Sequence, residues 1–234
     1  DITSSEAVDA YFEREKIDVV VNCAAYTAVD MAEENEALAD EINHKAVALL
    51  AKACQRHNAT LIHISTDYIF SGEADAPYKE DAEPAPLSVY GRTKLLGERA
   101  IAESGCKHII LRTAWLYSEF GKNFCRTMLQ LTAERPILQV VYDQCGTPTY
   151  ALDLARAILA VLQDYKVTTF CVPPTMYRMM LQNDVAKYDL SSLTHCCTAG
   201  EALNPDIFNK WYEATGLKIY EGFGQSETPV CICT

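Results

Sequence analysis

Three uninterrupted apolar runs constrain this chain most: IDVVVNCAAY at 17–26, ATLIHISTDYIF at 59–70 and KHIILRTAWLY at 107–117. A strand with one wet face alternates apolar and polar residues, whereas a strand covered on both faces reads as a continuous run. The text between the runs has helical spacing: SSEAVDAYFEREK at 4–16, NEALADEINHKAVALLAKACQRHN at 35–58 and SVYGRTKLLGERAIAESG at 88–105, the last with Gly105 as its stop. Strands alternating with helices in this way imply right-handed crossovers and a doubly wound parallel sheet. Ligands of such sheets sit at the carboxyl ends of the strands, so the residues just after each run are the candidates for function.

The bulk properties narrow the classes. The chain has 234 residues, 49% hydrophobic and 22% charged, and a net charge of −12. That suits a soluble α/β protein, and with no Lys/Arg cluster it argues against a nucleic-acid partner. No apolar run approaches the about 20 residues that span a bilayer, and the opening DITSSEAVDAYFERE has no signal-peptide core, so the expected location is the cytoplasm with no membrane partner. The ten cysteines are scattered, and their close pairs, Cys196–Cys197 and Cys231–Ile232–Cys233, lack CxxC spacing. They read as reduced core thiols rather than a zinc site or a disulfide framework.

Three strand-end clusters carry the chemistry: NCAAYTAVD at 22–30, STDYIFSG at 65–72 and PLSVYGRTKLLGE at 86–98. Tyr90 and Lys94 are four apart, so on a helix they share a face and the ammonium can approach the phenol. A free phenol titrates near about 10, and a neighbouring cation favours phenolate, bringing proton exchange toward neutral pH. A tyrosine so placed can protonate a carbonyl oxygen while hydride reaches the carbon. Thr66, at a strand end, can hydrogen-bond the same carbonyl. Tyr-x-x-x-Lys alone is common on solvated helices; the surrounding clusters give it weight.

These three clusters, with LRTAWLYSEFGKNF at 111–124 and VVYDQCGTPTYALDLARAI at 140–158, closely resemble in order and content the dTDP-4-dehydrorhamnose reductases, a family of extended short-chain dehydrogenase/reductases, over residues 1–163. The resemblance implies NADP(H)-dependent reduction of the 4-keto group of a dTDP-linked deoxysugar, with a homodimer as a possible assembly. It makes Thr66, Tyr90 and Lys94 catalytic, with Tyr90 the proton donor and Lys94 also on the nicotinamide ribose. It places Asp1, Ile2, Asn22, Ala24, Ala25 and Ser65 on the cofactor, and Thr27, Val29, Asp67, Tyr68, Thr113 and Trp115 on the sugar nucleotide. Trp115 as plain core filler is the competing reading. The family's G-x-x-G-x-x-G turn, whose N–H groups meet the pyrophosphate, is not spelled by the ten glycines. The expected fold is therefore a Rossmann-like doubly wound parallel sheet lacking its first βαβ unit, with IDVVVNCAAY left as an apolar edge unless something covers it.

After Gln163 the text changes. YKVTTFCVPPTMYRMM at 165–180, DLSSLTHCCTAGEALNP at 189–205 and YEGFGQSETPV at 220–230 resemble adenylate-forming acyl-CoA synthetases over residues 164–234. The run at 166–177, LTHCCTAGEAL and LKIYEGFGQSE read as short strands, with NPDIFNKWYEATG a helix, giving a smaller α/β fragment. The second resemblance implies adenine contacts from Gly200, Glu201 and Ala202, close backbone approach at Gly222 and Gly224, a phosphate contact at Ser226, and Mg²⁺ on Glu227, the group being an Mg/ATP site. That family's phosphate loop and catalytic lysine have no counterpart here, so no adenylation is expected. The expectation is a reductase-like domain at 1–163 joined near Gln163–Asp164 to an AMP-binding fragment at 164–234, with reductase activity impaired. The alternatives are a synthetase fragment proper and an inactive chimera of the two.

Overall fold

The computed structural model describes residues 1–141, 143–164, 166, 169–172, 174–199, 202–225 and 228–233. Helix α1 (Ser5–Arg14) starts where Ser4 Oγ accepts from Ala7 N at 3.2 Å, and leads into strand β1 (Val19–Asn22). The long helix expected at 35–58 forms in pieces. A short α2 (Val29–Glu34) precedes α3 (Glu36–Asp40), a π-helical turn (Glu41–Lys45) and α4 (Ala46–Arg56). Strand β2 (Thr60–Thr66), a 3₁₀ turn (Asp67–Ile69), α5 (Val89–Ser104) and β3 (Lys107–Thr113) follow. Strands β1, β2 and β3 pair in parallel in that order.

The continuous apolar runs are explained by cover on both faces. Val20, Leu61 and Ile110 pack with Val8, Phe12, Val47, Leu50 and Ile101 of α1, α4 and α5. Their neighbours Val19, Val21, Ile62, Ile109 and Leu111 turn to a second core built on Ile158, Leu159 and Leu162 of α7 (Ala151–Asp164). This is the Rossmann-like arrangement that the runs predict, although LRTAWLY stays a strand only to Thr113. Helix α6 (Phe124–Glu134), capped by Asn123, buries none of its residues, and Phe124 and Leu129 are exposed.

Beyond α7 lie β4 (Thr169–Cys171), α8 (Pro174–Met180), β5 (His195–Ala199), α9 (Pro205–Thr215), β6 (Ile219–Gln225) and β7 (Thr228–Cys233). Strands β4, β5 and β6 are parallel and β7 returns antiparallel to β6. The run expected to be a strand over 166–177 is strand at Thr169–Cys171, and Pro174 opens α8, where its missing N–H costs nothing. The edge expected to be bare is not: β4 comes against β1. Tyr177, Met180, Trp211 and Ile219 join Val19, Val21, Ile62 and the buried face of α7 in one hydrophobic cluster, which therefore crosses the Gln163–Asp164 junction. Cys54, Cys106, Cys196 and Cys197 are buried free thiols as expected, but Cys125 and Cys145 are exposed, because α6 and the segment after it cover no core. No helix among the described residues is long and apolar enough to cross a membrane.

Candidate active site

The end of β2 and the first turn of α5 form one unit. Thr66 Oγ1 accepts from Tyr68 N at 3.2 Å and meets Asp67 Oδ1 at 3.2 Å, so the hydroxyl caps the 3₁₀ turn that ends the strand. Ser88 Oγ accepts from Gly91 N at 3.0 Å and Glu33 Oε1 from Val89 N at 2.8 Å, satisfying N–H groups that α5 leaves open. The two segments touch at backbone level: a Cβ on Gly91 would lie 2.1 Å from Tyr68 O. Only glycine permits that approach. It seats Tyr90 against the strand end, with its ring edge-on to Tyr68 at 5.5 Å and its hydroxyl on the side of Thr66.

Burial pushes the Tyr90 phenol up; the Thr66 hydrogen bond opposes this, and the charges of Asp67 and Tyr68 add to it. The phenol is thus protonated at neutral pH, ready to donate. Asp67 is itself raised, mainly by burial.

Lys94 departs from expectation. It is 1% exposed, and its Nζ donates to Ile64 O at 2.7 Å and lies 3.3 Å from His63 Nε2. Among the described residues no hydrogen bond or charge interaction joins it to Tyr90. A buried amine needs a partner, and the strand backbone beneath α5 supplies one before the phenol does. Burial brings its pKa down to about 8, against the opposing pull of Glu98 and Cys23.

His63 belongs to the site and was not anticipated. It is fully buried, on the β2 face shared with Leu61, opposite Asn22 in register. Asn22 Nδ2 lies 3.1 Å from His63 Nδ1, and Asn22 Oδ1 accepts from Ala24 N at 3.1 Å. The available signal was a polar ring inside the apolar run LIHIS.

The loop after β1 is held from below. Asn43, in the π-helical turn, accepts from Tyr26 N at 2.8 Å and donates to Tyr26 O at 3.1 Å and Thr93 Oγ1 at 3.2 Å. A Cβ on Gly97 would lie 2.3 Å from Asn43 O, so α5 presses on that turn. The loop presents Ala24 and Thr27 to solvent with Ala25 and Val29 half-buried. Thr113 Oγ1 donates to Ser65 O at 3.2 Å, whereas Ser65 Oγ is buried with no hydrogen-bond partner among the described residues. Trp115 is not core filler: it is 44% exposed at a left-handed φ of 46°, its ring lying over Gly146.

Asn22, Ser65, Thr66, Asp67, Tyr68, Tyr90 and Lys94 are therefore gathered at the ends of β1 and β2. Asp1 and Ile2 are not joined to them by a hydrogen bond or shared cluster among the described residues. Asp1 accepts from Thr3, and Ile2 packs on the α1–α4 core. In the second segment Gly200, Glu201, Ser226 and Glu227 lie outside the described residues. Gly222 sits inside β6, paired with Ala199 and Cys233, while the pairing shifts register at Gly224; Ala202 is exposed. The described residues contain no cluster of three His, Cys, Asp or Glu able to hold a metal.

Residues 1–200 match the family described as "RmlD substrate binding domain". The dTDP-4-dehydrorhamnose reductase of Aggregatibacter actinomycetemcomitans is 44% identical over 163 residues, covering 70% of this chain and 55% of that protein. The crystal structure of a dTDP-4-dehydrorhamnose reductase from Clostridium acetobutylicum superposes with a TM-score of 0.68 at 46% identity, covering 73% of this chain and 60% of that one. The enzyme of the same name from Bacillus anthracis, solved with NADP, gives 0.67 at 41% identity, covering 69% and 58%. The chain thus spans little more than half the length of the curated relatives it matches. With the family's match extending over residues 1–200 and the Thr66–Tyr90 pair set at the strand ends, the chain belongs to the RmlD substrate binding domain family.

Proposed function

We propose that this chain carries the proton-delivering site of an NADPH-dependent reduction of the 4-keto group of a dTDP-linked deoxysugar. The observation that carries this reading is the buried Thr66 beside the half-buried Tyr90, whose phenol is kept protonated at a strand end. Tyr90 donates its proton to the substrate's carbonyl oxygen, and the Thr66 hydroxyl orients that oxygen. NADPH, when bound, supplies the hydride. The residues fit its nicotinamide end: Ser65 Oγ is a buried hydroxyl without a hydrogen-bond partner among the described residues, and Lys94 and Asn22 stand beside it at the strand ends. The ten glycines of these residues do not spell the spaced turn that supplies backbone donors to a pyrophosphate. Trp115, exposed at the rim, offers a flat face to a sugar or base.

Fluorescence titration with NADPH, followed by turnover of dTDP-4-dehydrorhamnose, tests the reading. Turnover that falls at least about 100-fold in Tyr90→Phe supports it, and turnover that survives the change refutes it.

The segment from Asp164 onward we read as a fragment akin to acyl-CoA synthetases, on TAGEALNP and YEGFGQSET alone. No chemistry is assigned to it. ATP–pyrophosphate exchange with a fatty acid would show that assignment to be too narrow.

A further inference from the structure

Both ring nitrogens of His63 face nitrogen atoms: Nδ1 is 3.1 Å from Asn22 Nδ2, and Nε2 is 3.3 Å from Lys94 Nζ. The Asn22 amide cannot be turned around, because its Oδ1 accepts from Ala24 N at 3.1 Å and a reversed amide would set two donors face to face. Asn22 Nδ2 can only donate, so Nδ1 must carry the lone pair and the ring proton sits on Nε2. That N–H points at Lys94 Nζ. An ammonium has three donors and no acceptor, so it would oppose one donor with another inside the core. A free amine has a lone pair to receive the Nε2 proton and still donates to Ile64 O at 2.7 Å.

We infer that Asn22, His63 and Lys94 form a directed hydrogen-bond chain that ends on an uncharged lysine amine, and that His63 is a positioning residue holding Lys94 away from Tyr90. The groups facing the amine agree. On β2, His63 is itself buried and kept neutral by that burial. After β1, the Cys23 thiol is pushed up to about 12 by burial and carries no charge. On α5, Glu98 would favour an ammonium, but its carboxylate is committed to Arg112 through contacts of 2.7 and 3.1 Å. For Lys94 to act on the phenol or on a ribose hydroxyl, it must leave His63 or take up a proton and break the Nε2–H···Nζ bond. The positioning role rests on the reductase reading; the protonation pattern does not.

The test is nitrogen NMR of the full chain carrying ¹⁵N-histidine and ¹⁵N-lysine, recorded from pH 6 to 11. The expected result is a Lys94 amine whose midpoint lies at about 8, apart from the other lysines, and, above that midpoint, a His63 ring with a protonated Nε2 and a bare Nδ1. A proton on Nδ1, or Lys94 titrating with the exposed lysines above about 10, overturns the inference. Asn22→Asp supplies a second arm: its carboxylate accepts from Nδ1, so the ring proton moves, Nε2 becomes an acceptor and the Lys94 midpoint shifts upward. An unchanged midpoint in a folded Asn22→Asp protein counts equally against it, and if that variant does not fold, the parent spectra decide. A chain inactive toward the keto sugar with the expected spectra sinks the reductase reading alone; turnover with a proton on Nδ1 sinks this inference alone.

Discussion

Replacing Gly91 by alanine puts a methyl group 2.1 Å from Tyr68 O, 2.9 Å from the carbonyl carbon behind it and 3.2 Å from Pro86 Cβ. The first two are backbone atoms of the turn that Thr66 caps, so no side chain can rotate away. Bringing the closest pair from 2.1 Å to an ordinary contact of 3.4 Å or more moves the start of α5 by more than 1 Å. Overpacking of this kind costs about 1–3 kcal/mol. The displacement also falls on the preceding residue, Tyr90, and a hydrogen bond to Thr66 does not survive a stretch of that size. Urea unfolding measures the stability, and the Tyr90 ultraviolet titration reports the bond: without Thr66 as partner, the phenol should titrate higher still. Gly105→Ala is the control, since nothing lies within 4 Å of its Cβ and only its φ of 72° is strained, a cost of about 1 kcal/mol. A Gly91→Ala protein within about 0.5 kcal/mol of the parent, with an unshifted tyrosine, would refute the close-approach account.

The shared core makes a second prediction: Trp211, fully buried and edge-on to Tyr177 at 4.8 Å, should cost about 3–5 kcal/mol when cut to alanine. Because its cluster includes Val19, Val21 and Ile62, urea melts followed at probes before and after Gln163 should shift together, and separate midpoints would contradict a common core. The third concerns pH. Lys94 is lowered to about 8 in the fold, so between about 8 and the about 10.4 of an unfolded lysine the unfolded chain binds the extra proton and stability rises with pH. Below about 8 both states are charged and the folded state bears the full burial cost of the ammonium. Lys94→Met should abolish that rise in urea melts at pH 8 and pH 10; a rise that persists assigns it elsewhere.

What the sequence made legible was set by burial. The runs at β1, β2 and β3 reveal themselves because helices cover both faces, and Tyr90 and Thr66 because each sits where a strand or helix begins or ends. Lys94 was legible as a member of the site but not in its partners: spacing places it on the face of Tyr90, while its hydrogen bonds depend on which residue of β2 lies underneath. His63 follows from the same register, opposite Asn22, which no local pattern encodes. Short elements such as α8 and β7 give too few residues for periodicity to declare itself. Packing is the competing reading for Trp115, set against the substrate-facing one, because tryptophan usually packs; a left-handed backbone at that residue turns it outward instead.

Asn43's grip on both the N–H and the carbonyl of Tyr26 has a consequence for hydrogen exchange. Loop amides normally exchange quickly, since local fluctuations expose them. The Tyr26 amide is bonded to a fully buried side chain on a helical turn against which α5 is packed at Gly97, so freeing it means parting two helices. Within residues 23–28 it should be the slow exchanger, its rate following the opening of the helical layer rather than of its own loop.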